Sequence, residues 1–442
     1  MKWKRYPAYR DSGVEWVGEV PEHWDVVSAK WVYELRLGKM LQNQPTSPKD
    51  KAVPYLKAVH VGWGDVCVDE LPTMWASDAD TRYYGVRAGD LLVCEGGQPG
   101  RAGIVSSVPD KCILQNSLHR VRAKSTHDLG FLLYLLWEAN RSGYLDSECN
   151  KATIVHFTKE KFGSLKMPWP SLDQRRHIAS FLDKGTTHID TLVSKKQCQL
   201  ELLEEKRVAL ITRAVTKGLD PNVKMKDSGV EWLGEVPEHW RVCSLRRTAN
   251  RIQSGSTPPT AEERYYDEGT IPWYGPGSFD DSLVLSSPVK YISISAVQEG
   301  KARVFKKGSV MVVTIGATTG KTGYITEDSS CNQRITVVSF DERVLLGEFG
   351  RYALKHQEPI LRGIAPVATL PILDQDRIAA LPLVVPPVHE QESIVEFLDR
   401  ETTRINDLRD KIQHSIQLLQ EYRSALISAA VTGQIDVREE VV

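Results

Sequence analysis

No two of the seven cysteines in this 442-residue chain stand in a CxxC arrangement. Cys67, Cys94, Cys112, Cys149, Cys198, Cys243 and Cys331 are scattered and odd in number. That pattern argues against a disulfide scaffold and a thiolate metal site, and for reduced thiols in a cytoplasmic protein. No apolar run approaches the roughly 18–20 residues a membrane span requires. The opening MKWKRYPAYRDSG lacks the apolar core of a secretory signal, so no membrane partner is expected. Charge of one sign is not in excess, with 56 Lys plus Arg against 57 Asp plus Glu. Net charge therefore neither supports nor excludes nucleic acid, because a basic patch can sit within a neutral total.

Catalytic signatures are also missing. No histidine pair has metal-ligand spacing, no Gly-rich dinucleotide fingerprint follows a strand, and GxSxG is absent. His23 and His239 each precede a tryptophan and read as satisfied structural histidines. The nearest approach to a phosphate loop is GATTGKT at Gly316 to Thr322. Its two glycines are one residue too close for GxxxxGK[ST], so its amides would not wrap a triphosphate. A turn presenting Thr318, Thr319 and Lys321 to phosphate oxygens or base edges is the better reading. The chain is expected to have no catalytic residues and no metal ligands.

What is present is a duplication. Asp11 to Trp24, DSGVEWVGEVPEHW, recurs as Asp227 to Trp240, DSGVEWLGEVPEHW, differing only at Val17 and Leu233. The 216-residue offset carries Ile178, Phe181, Leu182 and Asp183 onto Ile394, Phe397, Leu398 and Asp399. It carries Ala209–Leu210–Ile211 onto Ala425–Leu426–Ile427, and Asn116 onto Asn332, without a gap. A period this long defines the architecture before any local reading does.

Taken in order, residues 1–24 end in an extended strap anchored by Trp16 and Trp24. Residues 25–169 form a first variable domain, an α+β block of short strands near Val53 to Val61, Asp90 to Cys94, Gly103 to Val108 and Cys112 to Val121. A helix follows at Leu129 to Trp137. Residues 170–226 are helical: a short helix through Ile178, Phe181 and Leu182, then a second one capped by Thr186 and Thr187. Its seam runs Ile189, Leu192, Lys196, Leu200, Leu203, Arg207, Leu210 and Ala214, and Gly218 with Pro221 ends it. About thirty helical residues span roughly 45 Å. The plan repeats with a strap at 227–240, a variable domain at 241–385 and helices at 386–442. The second seam reads Ile405, Leu408, Ile412, Ile416, Leu419, Arg423, Leu426 and Ala430. Two such helices in one chain are expected to pack on each other and to carry partners.

Constant helices between divergent blocks suggest a frame bearing two recognition surfaces. Donors, acceptors and aromatics on loops suit nucleic-acid readout. The first block offers Lys57, His60, Trp63, Gln98, Arg101, Gln115, Asn116 and Arg120. The second offers Ser254, Ser256, Thr257, Trp273, Tyr274, Thr318, Thr319, Lys321 and Arg334. A helical scaffold joining two protein-binding domains is the alternative, and steep salt dependence of DNA affinity would separate the two.

The strap resembles that of type I restriction–modification specificity subunits. So do PSLDQRRHIASFLD at Pro170 to Asp183 and PPVHEQESIVEFLD at Pro386 to Asp399, as well as SGSTPP from Ser254, GTIPWY from Gly269 and IGATTGKTG from Ile315. In the first copy Asp173–Gln174 replaces Glu–Gln one position out of register, and Cys94 to Gly103 departs from the usual strand–turn pattern. The resemblance implies two α/β target recognition domains separated by two long antiparallel coiled-coil helices, in a pseudo-twofold arrangement. It implies double-stranded DNA as ligand, each domain reading half of a split site, with no catalytic site on this chain. Partners would be two methyltransferase subunits using S-adenosylmethionine, and restriction–translocation subunits driven by ATP and magnesium.

Overall fold

The computed structural model describes residues 3–124, 129–149, 156–365 and 372–438, and the side chains of Glu148 and Cys149 lie outside them. The chain divides into two compact units, Met1–Lys196 with His414–Val442 and Gln197–Gln413. Both divisions fall inside long helices, Leu172–Lys217 and Val388–Val431. None of the described helices is long and apolar enough to cross a membrane.

The first helix is continuous over 46 residues, about 69 Å at 1.5 Å per residue, not two pieces with a cap between them. Thr186 does not start a helix. Its hydroxyl donates to the Asp183 carbonyl within the helix and meets the Tyr134 hydroxyl at 3.2 Å. Such back-bonding lets threonine sit mid-helix instead of capping. Gly218, with φ of 76°, ends this helix, and Gly433, with φ of 75°, ends the second. A Cβ on Gly218 would lie 3.1 Å from the Trp240 ring, and one on Gly433 would lie 2.4 Å from Pro21 and 3.0 Å from Trp24. Helix ends and strap tryptophans thus require glycine both for backbone hand and for close approach.

Covered positions on the helices alternate by three and four: 182, 186, 189, 193, 196, 200, 203, 207, 210 and 214 on the first, 398, 402, 405, 409, 412, 416, 419, 423, 426 and 430 on the second. Ile189, Ile405 and Leu426 are buried, while Leu200, Leu203, Leu210, Ile412, Ile416 and Leu419 are half-buried. Leu408 does not lie on the seam. It is 42% exposed and Arg409 takes the covered place, since strict alternation from Ile405 to Ile412 requires a step of four and then three. Leu192 stands one residue off the stripe in the same way, and Val193 packs against the core of the first unit. In that unit Ile189 shares a core with Leu426, and Arg423 pairs with Asp190 at 2.9 Å. In the second unit Ile211, Ala214 and Val215 share a core with Ile394 and Leu398. The start of one helix meets the end of the other in each unit, so the pair is antiparallel.

Each strap is a β-hairpin, not a plain extended segment. Tyr9–Asp11 pairs with Glu19–Pro21, and Met225–Asp227 pairs with Glu235–Pro237. Trp24 and Trp240 are fully buried, whereas Trp16 is half-buried and Trp232 exposed. The chain's tail closes onto the first strap: the Asp436 amide donates to the Lys4 carbonyl at 2.8 Å and the Tyr9 hydroxyl to the Gly433 carbonyl at 3.0 Å.

Strands at the two ends of each variable block pair antiparallel, Asp25–Ser28 with Lys166–Trp169 and Arg241–Ser244 with Pro382–Val385. Between them the first unit builds a five-stranded sheet in the order Tyr33–Leu37, Leu118–Ala123, Leu91–Cys94, Ala102–Ile104, Gly64–Asp65. The second builds Ala249–Ser254, Ile335–Phe340, Val310–Val313, Thr322–Tyr324. LLVC and VMVV are apolar and buried at every position because they are inner strands covered on both faces. A smaller three-stranded sheet accompanies each, around Lys51–Leu56 and around Ile271–Tyr274. The run Cys112 to Val121 is two strands, Ile113–Leu114 and Leu118–Ala123, split by a turn at 115–117.

Candidate nucleic-acid interface

Hairpin loops join the inner strands to their neighbours, and both units fix them with the same backbone bonds. In the first, Gly100 N–H donates to the Cys94 carbonyl at 3.0 Å and Cys94 N–H to the Arg101 carbonyl at 2.8 Å. In the second, Gly320 N–H donates to the Val313 carbonyl at 2.8 Å and Val313 N–H to the Lys321 carbonyl at 2.9 Å. Arg101 and Lys321 are therefore counterparts. The Cys94 to Gly103 stretch, expected to depart from the strand–turn pattern, keeps it with a loop one residue shorter. Gly316 to Thr322 leads into a strand, not a helix, and its own turn consumes the Thr319 and Lys321 amides. It lacks the helix N-terminus on which a phosphate loop depends.

A second loop lies beside each hairpin. Gln115 N–H donates to the Leu56 carbonyl at 2.9 Å, and Asn332 N–H to the Tyr274 carbonyl at 3.0 Å. The side-chain oxygen of Gln115 accepts from the Ser117 amide, as that of Asn332 does from the Arg334 amide. The counterpart of Asn332 is thus Gln115 and not Asn116, because this segment has slipped by one residue relative to the 216 offset. A third loop begins at Gly38 or Gly255, where a Cβ would lie 2.2 Å from the Gln115 carbonyl oxygen or 2.1 Å from that of Cys331. Only glycine fits between strand end and turn. A fourth loop is the short helical turn that follows the first strand of the smaller sheet, Ala58–His60 or Pro276–Ser278, and side chains lock the four together: Arg101 donates to the Ala58 carbonyl at 3.0 Å, the Ala58 amide to Ser117 Oγ at 3.1 Å, and Thr257 Oγ1 to Gln333.

Most of the sequence candidates gather on these loops. Lys57 and His60 are half-buried, with the Lys57 amide donating to His60 Nδ1 at 3.1 Å. Burial, then the Lys57 charge, holds the His60 pKa below the ordinary histidine value. Gln98 is exposed and accepts from Arg101 at 3.1 Å, while the Asn116 oxygen accepts from Gln115 at 2.9 Å. In the second unit Ser256 Oγ accepts from the Arg303 amide at 2.9 Å, Lys321 reaches Asp281 at 3.3 Å, and Arg334 is exposed. Thr318 is half-buried in the hairpin loop.

Three candidates are turned inward. Arg120 is 2% exposed and donates to the Tyr83 and Gly85 carbonyls inside the sheet, with burial pushing its pKa down to about 10. Tyr274 is 3% exposed in a core with its hydroxyl on the Leu285 carbonyl at 3.2 Å. Thr319 is buried and its hydroxyl donates to the Gly316 carbonyl at 2.7 Å. Alternation decides the first two, since in strands successive side chains face opposite sides and these face inward. Arg303, Gln333 and Gln375 join the second face unannounced: Arg303 donates to the Ser254 carbonyl at 2.8 Å and Gln375 to Ser254 Oγ at 2.7 Å. Gln375 is 121 residues from its partner, and no local pattern marks it. Among the described residues no group of three or more His, Cys, Asp or Glu is placed to hold a metal ion.

At the other end of each recognition domain, the strap meets the long helix. Glu390 accepts from His239 at 2.7 Å and from Trp240 Nε1 at 2.9 Å. In the first unit Gln174 takes the place of Glu390 and meets His23 at 3.0 Å, leaving Trp24 Nε1 buried without a partner. Gln391, bonded to Leu346, Val344 and Pro386, is matched by Arg175 over the Trp169 ring at 3.7 Å.

The same architecture occurs in solved structures. A chain from a study of complex assembly and conformational transition of the type I restriction–modification system superposes with a TM-score of 0.72 at 18% identity, covering 94% of this chain and 99% of that one. The HsdS subunit of Thermoanaerobacter tengcongensis gives 0.56 at 17% identity over 94% and 98%. In sequence, a protein assigned as the specificity subunit of type I restriction enzyme MjaX of Methanocaldococcus jannaschii is 21% identical over 433 residues, covering 96% of both chains. The type I restriction modification DNA specificity domain matches twice, over residues 21–202 and 237–418, so the chain belongs to that family and carries two copies of its domain.

Proposed function

We propose that each recognition domain reads one half of a split, asymmetric DNA site through its four-loop face, and that the paired helices set the gap and dock the methyltransferase subunits. One observation carries this reading. Two loop faces share their backbone hydrogen bonds and one basic residue, Arg101 or Lys321, while their remaining side chains differ. A constant frame with variable donors and acceptors is what two different base sequences require. The chain acts as the specificity subunit and contributes recognition, not chemistry. S-adenosylmethionine would be held by two methyltransferase subunits, and ATP with magnesium by restriction subunits. Beside the seam, Leu202, Val208, Leu418 and Tyr422 are exposed on the helices, as such partners require.

The test is co-expression of the chain with its methyltransferase subunit in a methylation-free host, followed by mapping of methyladenine across the genome. A single split motif that vanishes when this chain is omitted is expected. A complex that forms but writes no split motif would refute DNA reading. A heptad inserted into both helices adds about 10 Å, or about three base pairs, and should lengthen the gap alone.

A further inference from the structure

We propose that the face of the first unit recognises thymine 5-methyl groups through Met40, Leu41 and Val59. The inference rests on the DNA reading above and adds the chemistry of one half-site. These side chains are 75%, 45% and 72% exposed. The other exposed large apolar side chains described in this recognition domain, Trp31 and Tyr83, lie under cations: Lys30 Nζ is 5.4 Å from one ring and the Arg36 guanidinium 3.9 Å from the other. Met40, Leu41 and Val59 sit instead on the two loops that flank the 115–117 turn. The Asn116 amide donates to the Lys39 carbonyl at 2.9 Å on one side, and the Ala58 amide to Ser117 Oγ at 3.1 Å on the other.

The patch is bordered by the groups that suit DNA. Arg101 donates to the carbonyl of Ala58, beside Val59, and the neighbouring 115–117 turn and hairpin loop present the amides of Asn116 and Gln98. Apolar side chains within a basic, amide-bearing rim match a base edge in the major groove, where the thymine methyl is the apolar feature. The second unit does not share the device. Aligned through Gly38 and Gly255, its counterparts of Met40 and Leu41 are Thr257 and Pro258. The counterpart of Val59, in the short helical turn Pro276–Ser278, is Gly277. At these three positions the two faces thus differ in chemistry, apolar in the first and threonine, proline and glycine in the second.

The test uses the complex of this chain with its methyltransferase subunit, and duplexes carrying the mapped site with thymines replaced singly by uracil, which removes only the methyl. Binding should fall about fourfold for each methyl that is covered, in one half-site alone. Met40→Gln with Val59→Thr should abolish that discrimination while leaving the other half unchanged, and Met40→Leu should retain it. Specific binding without thymine–uracil discrimination, or discrimination that the double variant keeps, overturns the proposal but leaves DNA reading intact. Loss of subunit assembly in the double variant also overturns it, by making the patch a protein contact. Absence of sequence-specific binding to the unmodified site would instead refute DNA reading itself.

Discussion

Replacing Gln174 by glutamate should stabilise the first unit. Trp24 Nε1 is buried without an acceptor, whereas its counterpart Trp240 Nε1 donates to Glu390 at 2.9 Å. The cause is local. The Gln174 oxygen accepts from the Ser171 amide at 3.3 Å, so its nitrogen faces His23, and no acceptor is left for the indole. A second carboxylate oxygen supplies one. An unsatisfied buried donor costs about 1–3 kcal/mol, and a hydrogen bond to a charged group contributes about 1.5–3 kcal/mol. Partial exposure at the helix start reduces the gain, so about 1–2 kcal/mol is expected, with a small addition from an acid in the first helical turn. For a unit of this size that is roughly 2–8 °C in melting temperature. Glu390→Gln should lower the transition of the second unit by a similar amount. Calorimetry of both variants and of the double swap decides it. If Gln174→Glu leaves the melting unchanged or lowers it while Glu390→Gln destabilises, the indole is not the controlling donor and the argument fails.

Further outcomes follow from close approaches and buried groups. Gly255→Ala places a Cβ 2.1 Å from the Cys331 carbonyl, so the second recognition domain should lose about 2–3 kcal/mol and its half-site reading while the first half-site is still read. Ending the chain at Gly433 removes buried Ile435 and Val437 and the Asp436–Lys4 bond; about 3–6 kcal/mol should be lost from the first unit, seen as early proteolysis there. Burial holds the His119 pKa below the ordinary histidine value, so the unfolded chain binds a proton that the folded chain refuses. Stability of the first unit should therefore fall as pH drops below about 6.5, by at most about 1.4 kcal/mol per unit, and His119→Gln should flatten that slope in pH-dependent melts.

Duplication and helical frame were legible because they rest on repeated residues: the strap, the FLD segment and the three–four alternation all survive the 216 shift. The seam departs from its sequence pattern only where chemistry and register disagree. Leucine is the apolar choice at 408, yet Arg409 occupies the stripe, since a long aliphatic stem can cover what its charged head leaves. The loop faces were less legible for a different reason. Their constant part is backbone, namely amides of Gly100 and Gly320 on strand carbonyls and a Gln115 oxygen doing the work of Asn332 one residue out of register. Side-chain identity pairs Asn116 with Asn332 and hides the slip. Arg120 and Tyr274 look like surface groups in sequence, because neither charge nor hydroxyl states which face of a strand a residue occupies. Met40 and Val59 carry neither donor nor acceptor, so no polar pattern marks them. In a protein that reads two sequences, the backbone bonds must repeat while the presented side chains must not. The recognition chemistry therefore lies where self-comparison of the sequence has least to compare.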